Sequence, residues 1–142
     1  MISHPLQRLT VRTSARNQMI EVTELVAKVV TELGVVDGMA IVYVPHTTAA
    51  ITINENADPD VKHDMLLKLS KMIPQHDAGY THAEGNSDSH VKTSLVGNSV
   101  NVLVERGKLL LGQWQVIQFC EFDGPRQRQM LVKVVDFGGG SP

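Results

Sequence analysis

The sequence predicts a single α+β domain. Three helical patterns are set among strands, the carboxyl half reads as a run of three strands, and 142 residues are enough to close one hydrophobic core. Residues Ile2 to Thr13 and Gln18 to Val22 have strand character, and the polar Ser14 to Asn17 stretch between them has turn chemistry, which predicts a hairpin. Thr23 stands at a helix-cap position; Leu25, Val26, Val29, Val30 and Leu33 follow at helical spacing, and Gly34 ends the run. A helix with one apolar face covers a sheet. After the Asp37-Gly38 turn, Met39 to Val44 is a dense apolar strand that stops at Pro45, which has no N–H for a ladder, and Ala49 to Ile53 resumes the extended pattern. His46 therefore falls at a strand break.

Asp58 and Pro59 form an N-cap and first helical residue, and Val61, Met65, Leu66, Leu69, Met72 and Ile73 then recur at helical spacing before Pro74. Residues Gln75 to Asn86 are polar and irregular. Ser87 or Asp88 then caps a short helix that carries His90 and ends before Gly97. Ser99 to Arg106, Gln113 to Phe122 and Gln127 to Phe137 read as strands joined by turns at 106–108 and 123–126, a β-meander. In the Gln113 strand, Trp114, Val116, Cys120 and Phe122 share one face, while Ile117 and Phe119 share the other with glutamines and acids. Neither face is simply wet, which fits burial against a neighbouring subunit or against another layer of the same chain. The domain spans residues 1–137, and Gly138 to Pro142 reads as a flexible glycine-rich tail.

Composition narrows the function. A hydrophobic fraction of 42% with 20% charged residues excludes a disordered chain, and a net charge of -2 gives no global attraction to nucleic acid or anionic membrane, so neither is an expected partner. Any anion has to be bound locally. A lone cysteine, Cys120, forms no internal disulfide, and the amino terminus lacks a signal core, so a cytoplasmic protein is expected. No apolar run approaches the roughly 20 residues of a spanning helix.

The densest chemistry is His82-Ala-Glu84-Gly-Asn86 followed by His90, at a loop-to-helix junction. Imidazole is the commonest ligand for zinc and similar ions, and catalytic zinc sites use three protein ligands with one position left open. His46, on a strand end with Thr47 and Thr48 beside it to orient the ring, is the natural third. Taken singly, each histidine reads as easily as an ordinary loop or core residue. His4, His63 and His76 fall in solvated positions.

A second group is Glu121-Phe-Asp123-Gly-Pro-Arg126-Gln-Arg128, in which two guanidiniums two residues apart project from one side of an extended chain and suit a phosphate. The bland alternative is a charged hairpin end, with arginine pairing to Glu121 and Asp123. The acidic Asn54 to Asp60 segment caps a helix, and Glu55 or Glu84 is a candidate general base or outer metal partner.

These residues resemble the YjbQ family, also described as secondary thiamine-phosphate synthase-like proteins. The resemblance rests on His46-Thr-Thr-Ala-Ala50, Asn54-Glu-Asn-Ala-Asp-Pro-Asp60, Tyr80-Thr-His-Ala-Glu-Gly-Asn86 with His90 and Lys92, Gly112-Gln-Trp-Gln115, and Phe122-Asp-Gly-Pro-Arg126 with Arg128. It implies a compact domain of largely antiparallel sheet layers with about three helices, assembled as a homotrimer. It also implies a pocket with a divalent metal on His46, His82 and His90, catalytic acids among Glu55, Glu84 and Asp123, and a phosphorylated metabolite held by Asn86, Lys92, Arg126 and Arg128. Histidine ligands favour zinc or another transition metal over magnesium. The activity implied is a low-level joining of a pyrimidine diphosphate to a thiazole phosphate, with phosphate-ester hydrolysis or non-catalytic phosphometabolite binding as alternatives. Dedicated thiamine-phosphate synthases are (β/α)₈ barrels of typically about 250 residues, beyond the reach of this chain.

Overall fold

A computed structural model describes residues 1–138. The predicted tail, from residue 139 onward, lies outside the described residues. The elements run β1 (Ile2–Ser3), β2 (Gln7–Arg12), β3 (Gln18–Glu21), α1 (Thr23–Leu33), β4 (Gly38–Tyr43), β5 (Ala49–Asn54), α2 (Pro59–Met72), α3 (Ser87–Val96), β6 (Ser99–Glu105), β7 (Lys108–Leu109), β8 (Val116–Glu121) and β9 (Gln127–Asp136). All the strand pairs are antiparallel. The protein is therefore α+β with three helices, as the sequence predicts.

Two sheets face each other. The first places β9 between β4 and the β1 and β2 strands and extends through β6 to β7; the second has β8 between β3 and β5. Their inner faces meet in one core. Val42, Val102, Val132 and Val134 come from the first sheet, Ile51, Ile117 and Phe119 from the second, and Val26 and Val30 of α1 pack into the same core. Fully burying each of these larger side chains contributes about 1.5–3 kcal/mol. The outer face of the second sheet is covered in turn, with Met19, Ala50, Cys120 and Phe122 packing against Met65, Leu66 and Leu69 of α2 and Val96 of α3. Strand β8 is thus buried on both faces within the chain, which explains why its sequence alternates so weakly.

The pairing departs from two local expectations. There is no hairpin across Ser14 to Asn17, because β2 pairs with β9 and β3 with β8, so the turn carries the chain from one sheet to the other. Nor is the carboxyl half a meander: β6 and β9 flank β4 in the first sheet while β8 lies in the second. The first strand is also interrupted, with Pro5 between β1 and β2. A short hairpin joins β6 to β7, with Arg106 and Gly107 both at positive φ (54° and 78°), a backbone that glycine adopts without penalty. Trp114 precedes β8 and is exposed.

The helix ends vary in how they are closed. Asp58 caps α2 by accepting from the Asp60 N–H at 2.9 Å, with Pro59 in the first turn, and Gly34 closes α1 in the left-handed conformation. Thr23 is no cap; its Oγ1 accepts the Ile117 N–H at 2.9 Å and ties α1 to β8. Neither Ser87 nor Asp88 caps α3, since both lie inside it; the N-cap residue is Asn86, which makes no side-chain cap bond, and the Asp88 carboxylate takes Arg16 and Lys92 instead. No helix among the described residues is long and apolar enough to cross a membrane.

Candidate functional site

Strand β4 stops at Tyr43, and the Pro45 to Thr48 segment crosses to β5 of the other sheet. The turn from β8 into β9 reaches the same end of the molecule, and so does the segment that leads into α3. Between them lies an open cavity of about 620 Å³ whose walls include His46, Asn86, His90, Asp123 and Arg126. Its apolar surroundings are thin, so polar groups decide what it takes.

The floor is ionic and buried. Arg128, 5% exposed, donates to Glu121 through both Nε (2.9 Å) and an Nη (2.5 Å), and to the Thr48 hydroxyl at 2.9 Å. Thr13 Oγ1 also donates to Glu121 at 2.7 Å. Burial pushes the Glu121 carboxyl up, but the hydrogen bonds from Arg128, Thr13 and the Asp123 N–H outweigh it and hold it below its ordinary value. A second buried pair lies beneath α3, where Asp88 accepts from Lys92 at 2.8 Å and from both Nη atoms of Arg16. Burial opposes ionisation here as well, yet the bonds from Arg16 and Lys92 bring the Asp88 carboxyl down to about 2.

The rim is open. Arg126 donates from Nε to the Asp123 carbonyl at 2.8 Å and from Nη2 to its carboxylate at 3.0 Å, while Nη1 takes no partner among the described residues. Asn86 Nδ2 donates to the same carboxylate at 2.8 Å, and its Oδ1 is enclosed without a partner. The turn that sets Arg126 here depends on Gly124: a Cβ there would come within 2.3 Å of the Ala15 carbonyl oxygen. The Thr13 hydroxyl accepts the Arg126 N–H at 2.8 Å and fixes the turn from the other side.

The expected site residues are thus divided. His46, His90, Glu84, Asn86, Asp123, Arg126 and Arg128 all line the cavity, Arg128 from the buried floor with Nε and Nη2 bound to Glu121 and Thr48 and Nη1 without a partner among the described residues. Lys92 is buried against Asp88 and Asn17 and does not line it. Glu55 follows β5 at its far end, one strand length or about 20 Å from Thr48. His82 lines a neighbouring pocket of about 450 Å³ with His76 and Tyr80, and meets His90 edge-on at a centroid distance of 5.5 Å. Thr48, read from sequence as a support for His46, serves Arg128 instead, and His46 Nε2 accepts the Gln129 N–H at 2.9 Å. Among the described residues no three His, Cys, Asp or Glu side chains converge closely enough to hold a metal. The three histidines as placed do not fit a preformed three-ligand centre.

Sequence reasoning missed Arg16, Tyr43 and Asn98. Tyr43 and Asn98 line the cavity, and Asn98 braces the loop by donating to the His46 carbonyl at 3.1 Å. Arg16 sits in a polar turn with no local signal of a partner 72 residues away.

Fold and pocket together define a small two-sheet α+β protein with an open, polar, arginine-rimmed cavity. The model of the family described as UPF0047 protein YjbQ-like matches residues 7–137, and the chain belongs to that family. A UPF0047 protein of Methanocaldococcus jannaschii is 50% identical over 130 residues, covering 92% of this chain and 94% of its own. YugU of Bacillus subtilis is 49% identical, with 92% and 98% covered. Among solved structures, a YjbQ/UPF0047 family protein of Clostridium acetobutylicum matches with a TM-score of 0.89 at 53% identity, covering 91% of this chain and 99% of that one. A hypothetical protein of Aeropyrum pernix matches with a TM-score of 0.88 at 33% identity, with 94% and 99% covered.

Proposed function

We propose that the cavity binds a small phosphorylated metabolite and that the protein is an enzyme acting on it. The observation that carries this reading is the divided use of Arg126, whose Nε and Nη2 are fixed on Asp123 while Nη1 is left for a ligand. A guanidinium held by its own turn gives up little freedom when it takes an oxyanion. The named candidate reaction is the one the family resemblance implies. The bond from the pyrimidine methylene carbon to the diphosphate oxygen breaks, and diphosphate leaves with the electron pair. The thiazole nitrogen supplies the pair for the new C–N bond, giving thiamine phosphate. Arg126 would stabilise the charge that gathers on the leaving diphosphate, and Asn86 and Asp123 would hold the guanidinium in place.

A divalent metal, zinc for preference, belongs to this reading only if ligands move to meet it, so the chemistry assigned here rests on the chain's own groups. Cytoplasmic location is part of the proposal. So is assembly as a homotrimer, supported by the outer face of the first sheet, where Met39 lies between Leu103 and Val135. Leu103 and Tyr43 are exposed there, and Tyr43 also lines the cavity.

The test is to supply purified protein with the pyrimidine diphosphate and the thiazole phosphate and assay thiamine phosphate. Product that falls at least about 10-fold in Arg126→Ala supports the reading. Release of inorganic phosphate from the single substrates would assign hydrolysis instead. Ligand-dependent thermal stabilisation without any product would reduce the protein to a binder.

A further inference from the structure

We propose that His46 is a neutral hydrogen-bond donor to the ligand's anionic oxygen, presenting Nδ1–H to the cavity, and is not a metal ligand. The starting point is strand register. In the first sheet Tyr43 lies opposite Leu131, so the next outward position of β4, Pro45, would face Gln129. Proline at that point turns the chain away, and the Gln129 N–H loses its ladder partner. The His46 ring fills the vacancy, with Nε2 accepting that N–H at 2.9 Å. The flipped ring would set carbon against the same N–H and leave a main-chain donor unpaired, which disfavours it.

An imidazole nitrogen that accepts carries no proton, so in the neutral ring the proton sits on the other nitrogen. Nδ1 has no partner among the described residues and is not enclosed, and the ring lines the cavity with Arg126. Burial lowers the ring's pKa and the Arg128 guanidinium lowers it further, which favours the neutral form. A metal at Nδ1 would need that nitrogen unprotonated, and Nε2 would then have to carry the proton and give up Gln129. A phosphoryl oxygen needs only a donor, and Nδ1–H is one. The donor role rests on the phosphate reading above; the tautomer does not.

The experiment is a set of long-range proton–nitrogen spectra of the imidazole rings, with His46 assigned by its loss in His46→Ala. The free protein should show His46 protonated at Nδ1 and unprotonated at Nε2. Zinc ion alone should leave those resonances in place, and pyrophosphate should move the Nδ1–H resonance. His46→Asn, which keeps an N–H near the Nδ1 position, should bind pyrophosphate within about 3-fold of the natural chain, and His46→Ala about 10-fold more weakly. The Nε2–H tautomer, or a zinc-induced shift at Nδ1, overturns the proposal. So does unchanged pyrophosphate affinity in His46→Ala. An Nδ1–H tautomer in a protein that binds no pyrophosphate overturns the phosphate reading and the donor role with it, while leaving the register argument for the ring intact.

Discussion

Arg126 and Arg128 are two residues apart, and each pairs with a carboxylate at the junction of β8 and β9, yet they do opposite work. Arg128 lies within strand β9, is buried in the floor, and commits Nε and Nη2 to Glu121 and Thr48. Arg126 precedes the strand and stands at the rim, and its pair with Asp123 leaves donors over. Residue type alone therefore says little about role. What separates the two is burial: each keeps an Nη1 unpartnered among the described residues, but the Arg126 side chain is 53% exposed beside an Asp123 open to the cavity, whereas Arg128 is 5% exposed and is the counter-charge of a fully buried Glu121.

The largest effect expected from this contrast is on stability. Arg128→Ala leaves Glu121 buried without its counter-charge and should cost about 3–5 kcal/mol in denaturant unfolding, whereas Arg126→Ala should cost about 1 kcal/mol or less. Equal losses would erase the distinction between floor and rim.

Acid should act on the floor next. The folded Asp88 carboxyl titrates at about 2, below its ordinary 3.8. A depressed carboxyl pKa contributes stability that is fully present above the unfolded value and is lost as pH falls through the folded one. From the shift of Asp88, about 2 kcal/mol should disappear between roughly pH 4 and pH 2, and Glu121 adds in the same direction. Unfolding free energies measured across that range check the sign, and Asp88→Asn should flatten the Asp88 part.

Smaller still is the loss expected at the rim. Arg126→Ala should weaken pyrophosphate binding about 10-fold or more, the ordinary worth of a charge-assisted hydrogen bond. Glu84→Ala should change the unfolding free energy by no more than about 0.5 kcal/mol, because both Glu84 and its partner His82 are exposed. A product assay on this stable variant then isolates any catalytic part that Glu84 plays.

Local signals in the sequence carry through where the physics is local. Asp58-Pro59 and Gly34 mark helix ends because capping and left-handed backbone depend on neighbours alone, and the apolar spacing of α1 follows from its single buried face. Pairing is another matter. The Ser14 to Asn17 stretch says that the chain turns but cannot say that it turns between two sheets. The two arginines do reach one cavity, but alternation orders side chains only inside a strand, and Arg126 lies in the turn before it, so the split between rim and floor is not legible from their spacing. Burial of Lys92 was illegible because its partner Asp88 is one helical turn away, a spacing just as common on solvated faces. Pro45 marks the strand break at His46 in the sequence itself; that the His46 ring replaces the lost strand partner depends on the register of β4 and β9, which no local signal carries.

The central claim is that the rim, and Arg126 in it, binds an anion. Calorimetric titration of pyrophosphate into the natural chain and into Arg126→Ala tests it most directly. Saturable binding that falls about 10-fold or more in the variant is the predicted result. Equal affinity in both proteins, or no binding to either, would contradict the account.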